Sequence, residues 1–125
     1  MVWPPRRDGE VSAQALIDTQ YADRAALRPV LDALIRASTG LGPVVVRARK
    51  TFVSLVTPRR TFARVQSKAR TRVDLCLRLP EHTPVGRLRR SKLHATMPFQ
   101  IGLASADEVD AEVVEWLRRA YEANR

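Results

Sequence analysis

His82, His94 and Cys76 carry the only imidazoles and the only thiol in this sequence of 125 residues, and their spacing gives them little to do. Acid–base or nucleophilic catalysis needs complementary groups within reach of one another. No carboxylate pair accompanies either histidine. A structural zinc takes about four ligands, and one cysteine with two histidines at unrelated intervals does not supply them. Asp107, Glu108 and the carboxylates that follow read as the acidic first turn of a helix, where they favour the positive end of its dipole. Gly40 and Gly42 precede a strand-like run and not a helix, so they mark a turn and not a phosphate loop. Cys76 has no partner for a disulfide and sits in an alternating apolar run, where a thiol packs as a small hydrophobe. The expectation is a non-enzyme without catalytic set, metal or cofactor.

The cations say more. Nineteen Arg and three Lys give a net charge of +9. Residues 1–43 carry five Arg and five Asp/Glu, and residues 95–125 carry three Arg against six Asp/Glu. Residues 44–94 hold fourteen Lys/Arg against Asp74 and Glu81 alone, a net of +12. Arginine in place of lysine fits a GC-rich genome; the scarcity of acids does not follow from that. Such a segment attracts polyanions. Arg47, Arg49, Arg72 and Arg78 share the polar parity of their strands, with Arg64 beside them. Arg59, Arg60, Lys68 and Arg70 fall in turns, and Lys50 precedes Thr51 at a strand end, where it would hold an anion or blunt an edge. Alternate residues of a strand recur about every 6.6 Å, near the phosphate spacing of an extended nucleic-acid strand. The expected partner is nucleic acid bound through its backbone without sequence preference, since few aromatics are free to stack on bases. The alternative is an acidic protein or a small anion.

Positioning these residues requires a switch of period. Residues 12–19 suggest a short helix with Ser12 as N-cap, and 1–11 a loose arm. Val30, Leu31, Leu34 and Ile35 form one helical face, begun by Asp23 as cap or by Pro29 in its first turn and stopped by Gly40-Leu41-Gly42-Pro43. Alternation then runs through Val44–Ala48, Thr51–Val56, Thr61–Gln66 and Val73–Leu79, with turns at Thr57–Arg60 and Ser67–Arg70. Pro80–Lys92 reads as a basic loop. Met97–Leu103 reads as a fifth strand, at an edge or bulged because Pro98 cannot donate a ladder bond. Ser105 to Glu108 reads as a capping box opening a helix whose stripe is Val109, Val113, Trp116, Leu117 and Ala120. The fold class is α+β: an antiparallel sheet of four to five strands, with N-terminal and C-terminal helices on one face, as a single domain over 12–125. Val46, Val73, Leu75, Leu77, Leu34 and Trp116 are the expected core. The opening residues lack the apolar stretch of a signal peptide, and no run approaches the ~20 apolar residues of a membrane span. A cytoplasmic protein without membrane contact is expected.

Leu41-Gly42-Pro43-Val44, Lys50-Thr51, the leucine strand to Leu79-Pro80, Asp107-Glu108, Glu115-Trp116-Leu117 and Ala120-Tyr121 together resemble a bacterial family catalogued as domain of unknown function 5655. The resemblance runs from about Tyr21 to Tyr121. It implies the same fold. Its members stand alone or are fused to other domains, some nuclease-like, which implies a nucleic-acid context. Two features depart: Gln66-Ser67-Lys68 replaces a more basic turn, so only Lys68 carries over, and Phe99-Gln100 stands where the family often has histidine.

Overall fold

In the computed structural model the described residues are 13–81, 83–94 and 96–125. The arm, Ser12 and His82 lie outside them, and the side chain of His94 is not described. The first helix, α1, covers 13–20. A 3-10 turn, Ala25–Leu27, leads into α2, Arg28–Thr39, with Pro29 in the first turn. Asp23 does not cap it; its carboxylate pairs with Arg24 and Arg70 instead. Six strands follow: β1 Val45–Ala48, β2 Phe52–Val56, β3 Thr61–Gln66, β4 Val73–Leu77, β5 Arg89–His94 and β6 Met97–Leu103, and α3, Ala111–Asn124, ends the chain.

The strands form one antiparallel sheet in the order β1-β2-β3-β4-β6-β5. Two expectations change here. The end of the segment read as a basic loop, from Arg89 to Lys92, belongs to a strand that runs to His94, and this strand takes the sheet edge. Strand β6 is therefore internal, despite Pro98. Its ladder with β4 ends at Phe99, and its pairing with β5 is irregular nearby, so the missing N–H of Pro98 falls where no regular bond is due. The β5 segment escaped notice because an exposed edge strand has no need of apolar alternation and carries Arg and Lys as protection against further pairing.

The helices lie on one face. Val53, Leu55, Ala63, Val65, Val73, Leu75, Leu77, Phe99, Ile101 and Leu103 point toward them and are buried with Val30, Leu31, Leu34, Trp116 and Leu117. Val46 packs against this core while partly exposed. Register shifts between Leu55 and Val56, leaving Phe62 as an extra residue. This bulge turns Phe62 inward, edge-on to Tyr121 with ring centroids 5.4 Å apart.

The capping box forms differently from expectation. Glu108 accepts from the Ala104 N–H at 2.6 Å, closing a 3-10 turn over Ala106–Glu108, while Ser105 makes no capping bond. The helix proper starts three residues later, with Asp110 accepting from the Val113 N–H at 3.3 Å. The acidic start of α3 instead holds the preceding loop. Glu112 accepts from the Arg87 backbone (3.0 Å) and Nε (2.9 Å), and Asp110 pairs with Arg87 Nη2 at 2.5 Å. Gly86, at φ +60°, lies against the Glu112 carboxylate, where any Cβ would collide. At the other end of α3, Asn124 donates to the carbonyl of Arg78 at 2.8 Å.

Candidate functional site

The face of the sheet turned away from the helices is polar at its floor and cationic above it. Strand pairing sets one row across it: Arg47, Ser54, Arg64, Cys76, Gln100 and Arg89. Residues directly opposite in antiparallel strands share a face, so this row holds three arginines. Strand neighbours lie about 4.8 Å apart, which separates Arg47 from Arg64 by roughly 10 Å. A second row is Phe52, Gln66, Asp74 and Gly102. Ser54, Gln66, Asp74 and Cys76 are all buried although they face away from the core.

Long side chains lie over this floor. Arg64 stacks on Phe52, its guanidinium carbon 4.2 Å from the ring centroid. Arg72 pairs through Nε with Asp74 Oδ1 at 3.0 Å, and the Asp74 side chain is 3% exposed. Gly102 makes that reach possible: a Cβ there would stand 3.3 Å from Arg72 Cδ. Burial pushes the Cys76 thiol up to about 11, against a smaller downward pull from a hydrogen bond with Ser91. The thiol is enclosed among its strand neighbours, where it packs as a small apolar group.

The ten cations singled out from the sequence separate into three groups. Arg47, Arg49, Arg64 and Arg72 belong to the open face. Lys50, Lys68 and Arg70 occupy the two turns at one end of the sheet, beside Arg24. Arg59 and Arg60 lie in the turn at the opposite end, where the Thr57 hydroxyl accepts from both of their backbone N–H groups at 3.0 Å. Arg78, although it continues the polar parity of β4, sits past that strand's last residue and shares a cavity wall with Arg60, Pro80 and Asn124. Its backbone N–H still bonds to the Phe62 carbonyl at 3.0 Å, so it extends the β3–β4 pairing at the end of the sheet nearest Arg59 and Arg60.

Several cations are compensated. Arg70 pairs with Asp23 (3.2 Å), Arg72 with Asp74, Arg90 with Glu81 (2.6 Å) and Arg87 with Asp110 and Glu112. Arg47, Arg49, Lys50, Lys68 and Arg89 form no ion pair with the described residues. The sequence reading missed Arg89 because it missed β5. It also missed Arg24 and Tyr21, which only the packing of α1 and the 3-10 turn against the sheet end brings to the Lys50 turn; nothing in their own neighbourhood marks them. Among the described residues no group of three or more His, Cys, Asp or Glu is placed to hold a metal ion, and no helix is long and apolar enough to cross a membrane.

This combination, a helix-backed antiparallel sheet with an arginine-bearing open face, defines a small α+β domain. Residues 17–124 match the family described as domain of unknown function (DUF5655), and the chain belongs to that family. No curated protein and no solved structure matches it.

Proposed function

We propose that the domain is a non-catalytic module that binds nucleic acid through its phosphate backbone, on the open face of the sheet. The observation that carries this reading is the row of Arg47, Arg64 and Arg89 across one face, joined by Arg49 and Arg72, with one buried carboxylate, Asp74, beneath. Arg47, Arg49 and Arg89 are exposed and bear no ion pair with the described residues, so their charge is available to a polyanion. Phe52 is the aromatic on this face, and Arg64 already covers its ring. Base stacking is therefore a minor contribution, and affinity is expected to vary little with sequence. In this reading the module works in the bacterial cytoplasm and needs no cofactor.

Binding of a labelled oligonucleotide, followed by anisotropy across a salt series, tests the proposal. Counterion release predicts a log–log slope of about −0.7 per phosphate contact on single strands and about −0.9 on duplex DNA. The double variant R47E/R89E lowers affinity on all sequences alike. Absence of binding at low salt, where screening is weakest, removes nucleic acid as the partner and leaves an acidic protein surface.

A further inference from the structure

A second concentration of cations lies at one end of the sheet and is built differently. The turn from Arg49 to Phe52 is closed by the Arg49 N–H donating to the Phe52 carbonyl at 2.8 Å. From α1, Gln20 Nε2 donates to the carbonyls of Arg49 (2.6 Å) and Phe52 (3.2 Å), so Lys50 and Thr51 stand on a tip tied to the helix. Across from them the Ser67 hydroxyl closes the next turn, donating toward the carbonyls of Ala69 (2.9 Å) or Arg72 (3.0 Å). Arg24 reaches the Ser67 turn. Its Nε donates to Asp23 at 2.9 Å and its Nη1 to the Ser67 carbonyl, which fixes the guanidinium. Gln20, Tyr21, Arg24, Lys50, Thr51 and Ser67 enclose a cavity of about 150 Å³.

Lys50 and Thr51 are exposed and bond to none of the described residues. Tyr21 is 3% exposed, and its hydroxyl has no hydrogen-bond partner among the described residues. Burial pushes that phenol up to about 12, so it is a neutral group at physiological pH. The wall thus combines a fixed guanidinium, an uncompensated ammonium and the exposed Thr51 hydroxyl. Asp23 is the carboxylate at its margin, and it is already bound to Arg24 and Arg70.

We infer that this cavity is a binding site for a phosphate monoester, with Lys50 as the charge that holds the dianion, Arg24 as the fixed cation behind it and Thr51 as a hydroxyl donor. A compact ammonium suits a tetrahedral phosphate as a point charge, and charge-assisted hydrogen bonds to phosphate are the strong ones. The site does not depend on nucleic acid binding to the open face. The monoester can belong to a free phosphorylated small molecule or to the 5′ end of a strand, since both present the same dianion.

The test is amide chemical-shift titration of the full chain with inorganic phosphate and with a nucleoside 5′-monophosphate, against chloride at matched ionic strength. Saturable shifts centred on Gln20, Lys50, Thr51 and Ser67 are expected. Lys50→Gln, an exposed substitution that leaves the fold intact, lowers affinity about tenfold or more, as loss of one charge-assisted contact does. Lys92→Gln, a change of an exposed lysine elsewhere, leaves it unchanged. Oligonucleotides with a 5′-phosphate and a 5′-hydroxyl separate the two sources: a preference for the phosphorylated strand that Lys50→Gln abolishes assigns strand ends, and equal affinity alongside saturable monophosphate binding assigns small molecules. Shifts no larger than those with chloride, or equal binding by Lys50→Gln, overturn the inference, whatever the open face does.

Discussion

The two faces of the sheet are made by the same strands and differ at every alternate residue. On the helix side β4 presents Val73, Leu75 and Leu77, all fully buried, to Trp116, Leu117 and the α2 stripe. On the other side the same strand presents Asp74 and Cys76, equally enclosed but polar or polarisable, with Arg72 reaching across. The first face is closed by apolar contact, which is non-directional and tolerates no charge. The second is covered by arginine side chains: Arg64 lies on the Phe52 ring with its Nε buried, and Arg72 pairs with Asp74. Burial alone therefore does not distinguish a core from the floor of an open face. What distinguishes them is whether the covering layer is a helix or a set of side chains that a ligand can engage.

Substitutions on each side should separate these two kinds of burial. The largest loss is expected on the covered side: Trp116→Ala costs roughly 3–5 kcal/mol in chemical denaturation, and a loss below about 1 kcal/mol would remove Trp116 from the core. On the open side, Arg72→Ala leaves the Asp74 carboxylate enclosed without its cation and costs about 2–3 kcal/mol, whereas Arg47→Ala, at an exposed arginine, costs less than about 0.5 kcal/mol. Equal costs for the two arginines would mean that Asp74 is not dependent on Arg72. Binding variants are for this reason placed at Arg47 and Arg89 and not at Arg72.

Smaller effects sharpen the same contrast. Cys76 should resist thiol reagents in the native protein and react once denaturant opens the sheet; fast native labelling would show that the open-face floor is not closed. The outer side of α3 gives a solvent-facing comparison. Hydrogen bonds from Arg118 and then Arg119 hold the Glu115 carboxyl down at about 2, below its ordinary 4.5. A group with a depressed folded-state pKa stabilises above its unfolded value and loses that contribution as pH falls toward the folded one. Glu115→Gln should flatten the acid side of the stability–pH curve slightly, below about 4.5 and not above it.

Much of the fold was legible because alternation is decisive where one face must be apolar: Val73, Leu75 and Leu77 against Asp74 and Cys76 could be read in only one way. The turns at Thr57–Arg60 and Ser67–Arg70 were equally plain from proline, serine and charge. Strand β5 was not, since Arg89, Arg90, Ser91 and Lys92 show no alternation to read. With it went Arg89 and the internal position of β6. The open-face arginines Arg47, Arg49, Arg64 and Arg72 were legible by parity; that Arg78 lies at the far end of the sheet, one residue past β4, was not. Compensation was illegible throughout: that Asp23 reaches Arg70, or that Arg87 is claimed by Asp110 and Glu112, depends on contacts far apart in sequence.

The central claim is that a polyanion engages the open face and leaves the helix face untouched. Amide chemical-shift mapping with a short oligonucleotide at low salt tests it most directly. The account predicts that shifts cluster on Arg47, Ser54, Arg64, Gln66, Arg89 and Gln100, fade with added salt, and disappear in R47E/R89E. Shifts confined to α2 and α3, or persisting unchanged in that variant, would contradict it.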